Sequence, residues 1–201
     1  MTKIKICGLY RSEDIRYVNQ VKPDWCGFII NFPKSHRSLA PEKVRSLRRE
    51  LDDAVVPVGV FVNQPVDTVV ALLNDGTVSI AQLHGQEDAA YIAALRAAAP
   101  GHPVWKAYKV RSPEDLAAAN HSTADLIILD NGYGTGETFD WSLAEGITRP
   151  WLLAGGLTPQ NIPEAVTLLH PYGLDISSGV ETEKKKDFDK IQAAVAAARK
   201  D

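Results

Sequence analysis

The chain has 201 residues, 45% hydrophobic and 23% charged, with a net charge of -3; this suits one domain, residues 1–201, that buries a core without disulfides or metals. No basic excess exists to serve a nucleic acid or an anionic membrane surface, and no apolar run of about 18 residues exists to span a bilayer. The two cysteines form no disulfide framework, and residues 1–7 lack an apolar signal core, so the expectation is a cytoplasmic protein working as a monomer on a small molecule.

Short apolar runs alternate with amphipathic segments along the whole chain. The strand-like runs are 3–7, 25–31, 55–63, 78–83, 104–110, 125–130, 151–154 and 174–177. Several, such as Gly27-Phe-Ile-Ile30 and Leu126-Ile-Ile-Leu129, are almost continuously apolar, as parallel strands covered on both faces require. Helices are expected at 86–99, after a Ser112 cap with Pro113 behind it, after a Thr158 cap before 162–169, and at 187–200. Eight β-then-α units in this length point to a closed (β/α)8 TIM barrel. An open doubly wound sheet is the alternative, but no Gly-rich fingerprint follows the first strand. The charged stretch 181–186 reads as a solvated loop.

Such barrels keep their chemistry at the carboxyl ends of the strands. Those positions hold Cys7, Asn31 with the loop to Arg37, Asn63, His84, Tyr108 or Lys109, Asp130, Gly155-Gly156 and Ser177-Ser178-Gly179. The two small-residue loops, in consecutive units, suit an anion bound between them by backbone N–H groups. Cys7 taken alone is as compatible with a buried apolar role as with chemistry, and Asp130 alone is as compatible with a turn. Cys26, near the start of its strand, is expected at the opposite mouth from Cys7 and out of reach of a disulfide. Asn63 and Gln82 read as polar wall residues. No histidine spacing suggests a metal.

The blocks Lys5-Ile-Cys-Gly8, Phe32-Pro-Lys-Ser-His-Arg37, Gly59-Val-Phe-Val-Asn63, Gln82-Leu-His-Gly85 and Trp105-Lys-Ala107 resemble the phosphoribosylanthranilate isomerase family. So do Leu129-Asp130 with Gly134-Thr-Gly-Glu-Thr-Phe-Asp-Trp141, Leu153-Ala-Gly-Gly-Leu-Thr158 and Asp175-Ile-Ser-Ser-Gly-Val-Glu181. The blocks run from about residue 3 to residue 188 in the family's order. The resemblance implies an Amadori rearrangement of N-(5-phosphoribosyl)anthranilate in tryptophan biosynthesis, with no cofactor. Residue by residue, it implies that Cys7 is the general base, Asp130 the general acid, and Arg37 a neighbour of the anthranilate. Gly156, Ser178 and Gly179, with Gly155 and Ser177 beside them, would hold the phosphate. His84 is taken as a substrate contact, with an acid–base role as the alternative.

Two positions depart from the family pattern. His36 stands where proline is usual, which predicts a looser loop, and Tyr133 stands where glycine is common, either stacking on the ring or shielding the loop. Asp140 is the expected cap of a short helix at Trp141. A thiol titrates at about 8.5 and an aspartic acid at about 3.9. A thiolate base with a protonated acid therefore needs a nearby cation or the barrel's amide dipoles to lower the thiol, and partial burial to raise the carboxyl. The related histidine-pathway isomerase, which typically has aspartate at the Cys7 position, a metal-dependent epimerase and a non-catalytic phosphate-binding barrel are the competing readings.

Overall fold

A computed structural model describes residues 1–130 and 141–200; Tyr133 and Asp140 lie outside them. Eight parallel strands form the barrel: β1 (Lys3–Cys7), β2 (Trp25–Ile30), β3 (Val56–Phe61), β4 (Ile80–Leu83), β5 (Val104–Lys109), β6 (Leu126–Asp130), β7 (Trp151–Ala154) and β8 (Gly173–Ile176). Each pairs with the next, and β1 pairs with both β2 and β8, which closes the ring. Seven α-helices are described: α1 (Ser12–Val21), α2 (Pro41–Arg48), α3 (Val66–Asn74), α4 (Ala89–Ala98), α5 (Pro113–Asn120), α6 (Ile162–Leu169) and α7 (Phe188–Ala198). A 3-10 turn at Trp141–Ala144 stands before β7. None of the described helices is long and apolar enough to cross a membrane.

The helix starts follow local chemistry. Ser112 and Asp115 cap each other's backbone N–H groups at α5, and Asp88 and Asp187 cap α4 and α7. The expected Thr158 cap is displaced: Asn161 is the N-cap of α6. Thr158 and Asn161 instead bond each other's backbone in the preceding turn, and the Asn161 amide also holds the Gly156 carbonyl.

Alternation along the strands makes two cores. Ile4, Ile6, Cys26, Phe28, Leu129 and Leu174 face outward and pack under the helices. Trp25, Val58, Ile80, Trp105, Ile128 and Leu152 fill the barrel itself, with the Trp25 and Trp105 rings edge to face at 5.1 Å. Above the Trp25 layer the filling turns polar: Lys5 and Asp175, direct register partners on β1 and β8, are both buried.

Cys26 does not sit at the far mouth. It pairs with Ile6, one rung from the Cys7–Gly27 pair. A disulfide is excluded by the sheet face instead, because Cys26 points into the outer core while Cys7 points inward, and both thiols are free.

Candidate active site

Strand order decides which side chains meet. Asp130 ends β6, the Gly155-Gly156 loop follows β7, the Ser177–Gly179 loop follows β8, and Cys7 ends β1. These four strands are consecutive around the ring, so Asp130 and Cys7 stand on either side of the two small-residue loops.

Those loops touch. Gly155 and Gly156 both have left-handed backbone, at φ 88° and 63°. A Cβ on Gly179 would lie 1.8 Å from the Leu157 carbonyl oxygen, so only glycine lets the β8 loop, a 3-10 turn at Ser178–Val180, approach the β7 loop. The Ser177 hydroxyl donates to the Cys7 carbonyl at 3.1 Å and ties this loop to the end of β1. No long helix begins directly after Gly179; α7 starts only at Phe188.

Arg37 is fixed before any substrate arrives. Its Nε and Nη2 donate to Glu181 at 2.7 and 2.6 Å. Its stem crosses Gly8, whose added Cβ would meet Arg37 Cδ at 2.4 Å. His36 does not leave the loop unsupported: its ring stands edge-on to Tyr10, centroids 6.1 Å apart, and the Ser35 hydroxyl accepts the Arg37 N–H.

The stretch expected to be a solvated loop is a hairpin, Glu181–Thr182 against Lys185–Lys186. Its two outer members turn inward. Lys186 Nζ, fully buried, donates to the Ser177 carbonyl and to Glu181 Oε1, each at 2.8 Å. Burial pulls the Lys186 ammonium below the usual lysine range despite Glu181. Burial pushes Glu181 up, but the Arg37 and Lys186 bonds outweigh it and hold the carboxyl low.

Cys7 is also buried, and here burial wins: the thiol is pushed above its ordinary value although Lys5 and Lys186 oppose the shift. The expected cation is present, then, but does not by itself make a thiolate in the free protein. Lys5 Nζ sits 2.8 Å from Asp175 Oδ1. Burial lowers the Lys5 ammonium, and Asp175 and Cys7 together more than reverse this.

At the end of β6, His84 Nε2 lies 3.3 Å from Asp130 Oδ2, and His84 Nδ1 lies 3.4 Å from Gln82 Nε2. Gln82 and Asn63 are wall residues, as read. Gln82 is buried, while Asn63 Oδ1 accepts the Gln86 N–H at 2.7 Å and knits the loops after β3 and β4. Three groups escaped the sequence reading: the Lys5–Asp175 pair, Glu181 with Lys186, and a buried Lys106–Glu87 pair at 3.2 Å. The available signal was a lysine on the inward phase of an apolar strand, at Lys5 and Lys106. Lys186 offered none.

The sequence profile of the family described as N-(5'phosphoribosyl)anthranilate (PRA) isomerase matches residues 4–197. The chain is 39% identical to the N-(5'-phosphoribosyl)anthranilate isomerase of Thermoanaerobacter sp. (strain X514), over 99% of this chain and 98% of that protein. A phosphoribosyl anthranilate isomerase structure in complex with reduced 1-(o-carboxyphenylamino)-1-deoxyribulose 5-phosphate has a TM-score of 0.86 at 33% identity, covering 99% of each chain. A structure from Thermotoga maritima, described as monomers generated from a dimeric phosphoribosylanthranilate isomerase, gives the same score, identity and coverage.

Proposed function

The chain belongs to the N-(5'-phosphoribosyl)anthranilate isomerase family, and from that premise we propose that Cys7 and Asp130 are the base and acid of its reaction. The reaction is the Amadori rearrangement of N-(5'-phosphoribosyl)anthranilate to 1-(2-carboxyphenylamino)-1-deoxyribulose 5-phosphate, a step of tryptophan biosynthesis. It converts an aldose to a ketose by moving protons within one molecule, so electrons balance without any co-reactant.

Asp130 gives its proton to the ribose ring oxygen as the C1–O bond breaks and the C1–N bond becomes an iminium. The Cys7 thiolate then takes the proton from C2, and the electron pair neutralises the iminium as an enolamine, which tautomerises to the ketone. Backbone N–H groups of Gly155, Gly156, Ser178 and Gly179 hold the phosphate, with Ser177 fixing that loop to β1. Arg37, held by Glu181, faces the anthranilate end, and His84 contacts substrate beside Asp130. Anchoring both ends of the substrate supplies the orientation term in catalysis.

The observation that carries this reading is the contact of the β7 and β8 loops at Gly179 between the strands that end in Asp130 and Cys7. All these groups come from one chain, which supports a monomer as the catalytic unit; sedimentation at working concentrations tests that point. Turnover, followed by the loss of anthranilate fluorescence, tests the roles. Near-full activity in Cys7→Ala would remove the thiol as base.

A further inference from the structure

We propose that Lys5 is a positioning residue for the Cys7 base: its ammonium, fixed inside the barrel by Asp175, faces the sulfur and receives the negative charge when the thiol ionises. This rests on the reading of Cys7 as the base and adds the group that makes it competent.

Lysine is rarely buried, because its charge must leave water. Lys5 is 0% exposed and sits among the inward layers of the barrel. Its ammonium donates to Asp175 at 2.8 Å on the register-paired strand. A simple structural pair could be replaced by two apolar side chains of similar volume at little or no loss of stability. The placement suggests a reason for keeping it.

Lys5 and Cys7 are two residues apart on one strand and project to the same side. Both lean over Gly27: a Cβ there would meet Cys7 Sγ at 2.8 Å, Lys5 Nζ at 3.0 Å and Lys5 Cε at 3.1 Å. Any larger residue at that position would force sulfur and ammonium out of this shared space. Asp175 fixes the amine from the opposite side.

The other charged or titratable groups acting on Cys7 are Asp175, whose carboxylate raises the thiol, Lys186 from the hairpin, Arg37 from the loop after β2, and Cys26 behind β2. Lys186 and Arg37 are both committed to Glu181. Lys5 is thus the cation that acts most strongly on the sulfur; burial pushes the thiol up, and Lys5 is the largest opposing influence.

Lys5→Met alone strands the Asp175 carboxylate in the barrel and risks misfolding. The decisive comparison is Asp175→Asn against Lys5→Met/Asp175→Asn, which differ only at position 5. The readout is the pH dependence of Cys7 alkylation by iodoacetamide in the free protein, scored by mass on the Cys7 peptide. The double variant should need a pH higher by about one unit or more, as expected for loss of an opposite charge at this range. Its kcat should fall with KM little changed, because the phosphate loops and Arg37 are untouched. Coincident alkylation profiles in two folded variants would overturn the proposal and leave Lys5 a structural group. The profile is read without turnover, so it stays informative if Cys7→Ala proves active and the base assignment fails.

Discussion

Arg37 and Glu181, 144 residues apart in sequence, close a two-bond fork across the barrel mouth at 2.7 and 2.6 Å. The geometry is the planar, bidentate one that arginine offers and lysine does not. It also holds the guanidinium in one orientation, with its Nε edge spoken for.

Arg37→Ala should therefore weaken substrate binding more than it slows the chemical step. Steady-state kinetics should show a rise in KM of tenfold or so, the loss of about one charge-assisted hydrogen bond, with a smaller change in kcat. A large fall in kcat at constant KM would contradict the assignment.

Glu181→Gln should reproduce much of that KM effect, since it releases the fork, and should also destabilise the fold. Breaking a buried pair costs about 3 kcal/mol, and here Lys186 loses its partner too. The Arg37→Ala/Glu181→Gln double variant should cost less than the sum of the singles. The pH sign follows from the depressed Glu181 carboxyl. Its contribution to stability is present above the ordinary glutamate range and is lost as pH falls through its folded value. Thermal melts at falling pH should show this loss in the unsubstituted chain and not in Glu181→Gln.

The two thiols should separate by pH. Burial pushes Cys26 up to about 12; burial raises Cys7 too, but Lys5 and Lys186 oppose that shift, and Cys7 ends its strand with 8% of its surface exposed where Cys26 has none. Iodoacetamide at mildly alkaline pH should label Cys7 well before Cys26, with activity lost in parallel. Because both folded thiols keep their protons beyond the pH at which unfolded ones lose them, folding stability should decline as pH climbs past about 8.5. Labelling of Cys26 first would show the barrel opening before the mouth reacts. In turnover, kcat/KM should follow a bell whose limbs disappear one each in Cys7→Ser and Asp130→Asn.

Gly179→Ala should weaken phosphate recognition while leaving the rest of the barrel folded. The added methyl collides with the Leu157 carbonyl and must push the β7 and β8 loops apart. Inorganic phosphate, tested as a competitive inhibitor, should bind at least tenfold more weakly. Unchanged inhibition would place the anion elsewhere.

Most of the barrel could be read from the chain because parallel strands buried on both faces leave near-continuous apolar runs. β1 and β7 begin and end where the runs do, while β4 starts two residues late because Val78 and Ser79 still belong to the approach. The strand-end rule put Cys7, Asp130 and the two glycine loops at one mouth of the barrel, where the structure has them; the roles proposed for them came from the family resemblance. The rule could not find Lys186, because a lysine in a run of lysines reads as solvated until Glu181 and the Ser177 carbonyl are seen to surround it. Nor could it give Lys5 a role, since the partner that permits its burial lies 170 residues downstream. Likewise, the outward turn of Cys26 depends on register with β1, not on its distance from the strand's start.

That 170-residue separation has a consequence in time. The strands that end in Asp130, the two glycine loops and Cys7 are contiguous only because β8 docks on β1. Until then, Lys5 has no carboxylate, the Ser177 tie to the Cys7 carbonyl does not exist, and the hairpin that seats Lys186 has nothing to fold against. During synthesis the thiol is therefore made first and given its electrostatic setting nearly last. A growing chain carries Cys7 as an ordinary cysteine through most of its assembly, and ring closure is the event that sets it beside the β8 loop and the buried Lys5–Asp175 pair.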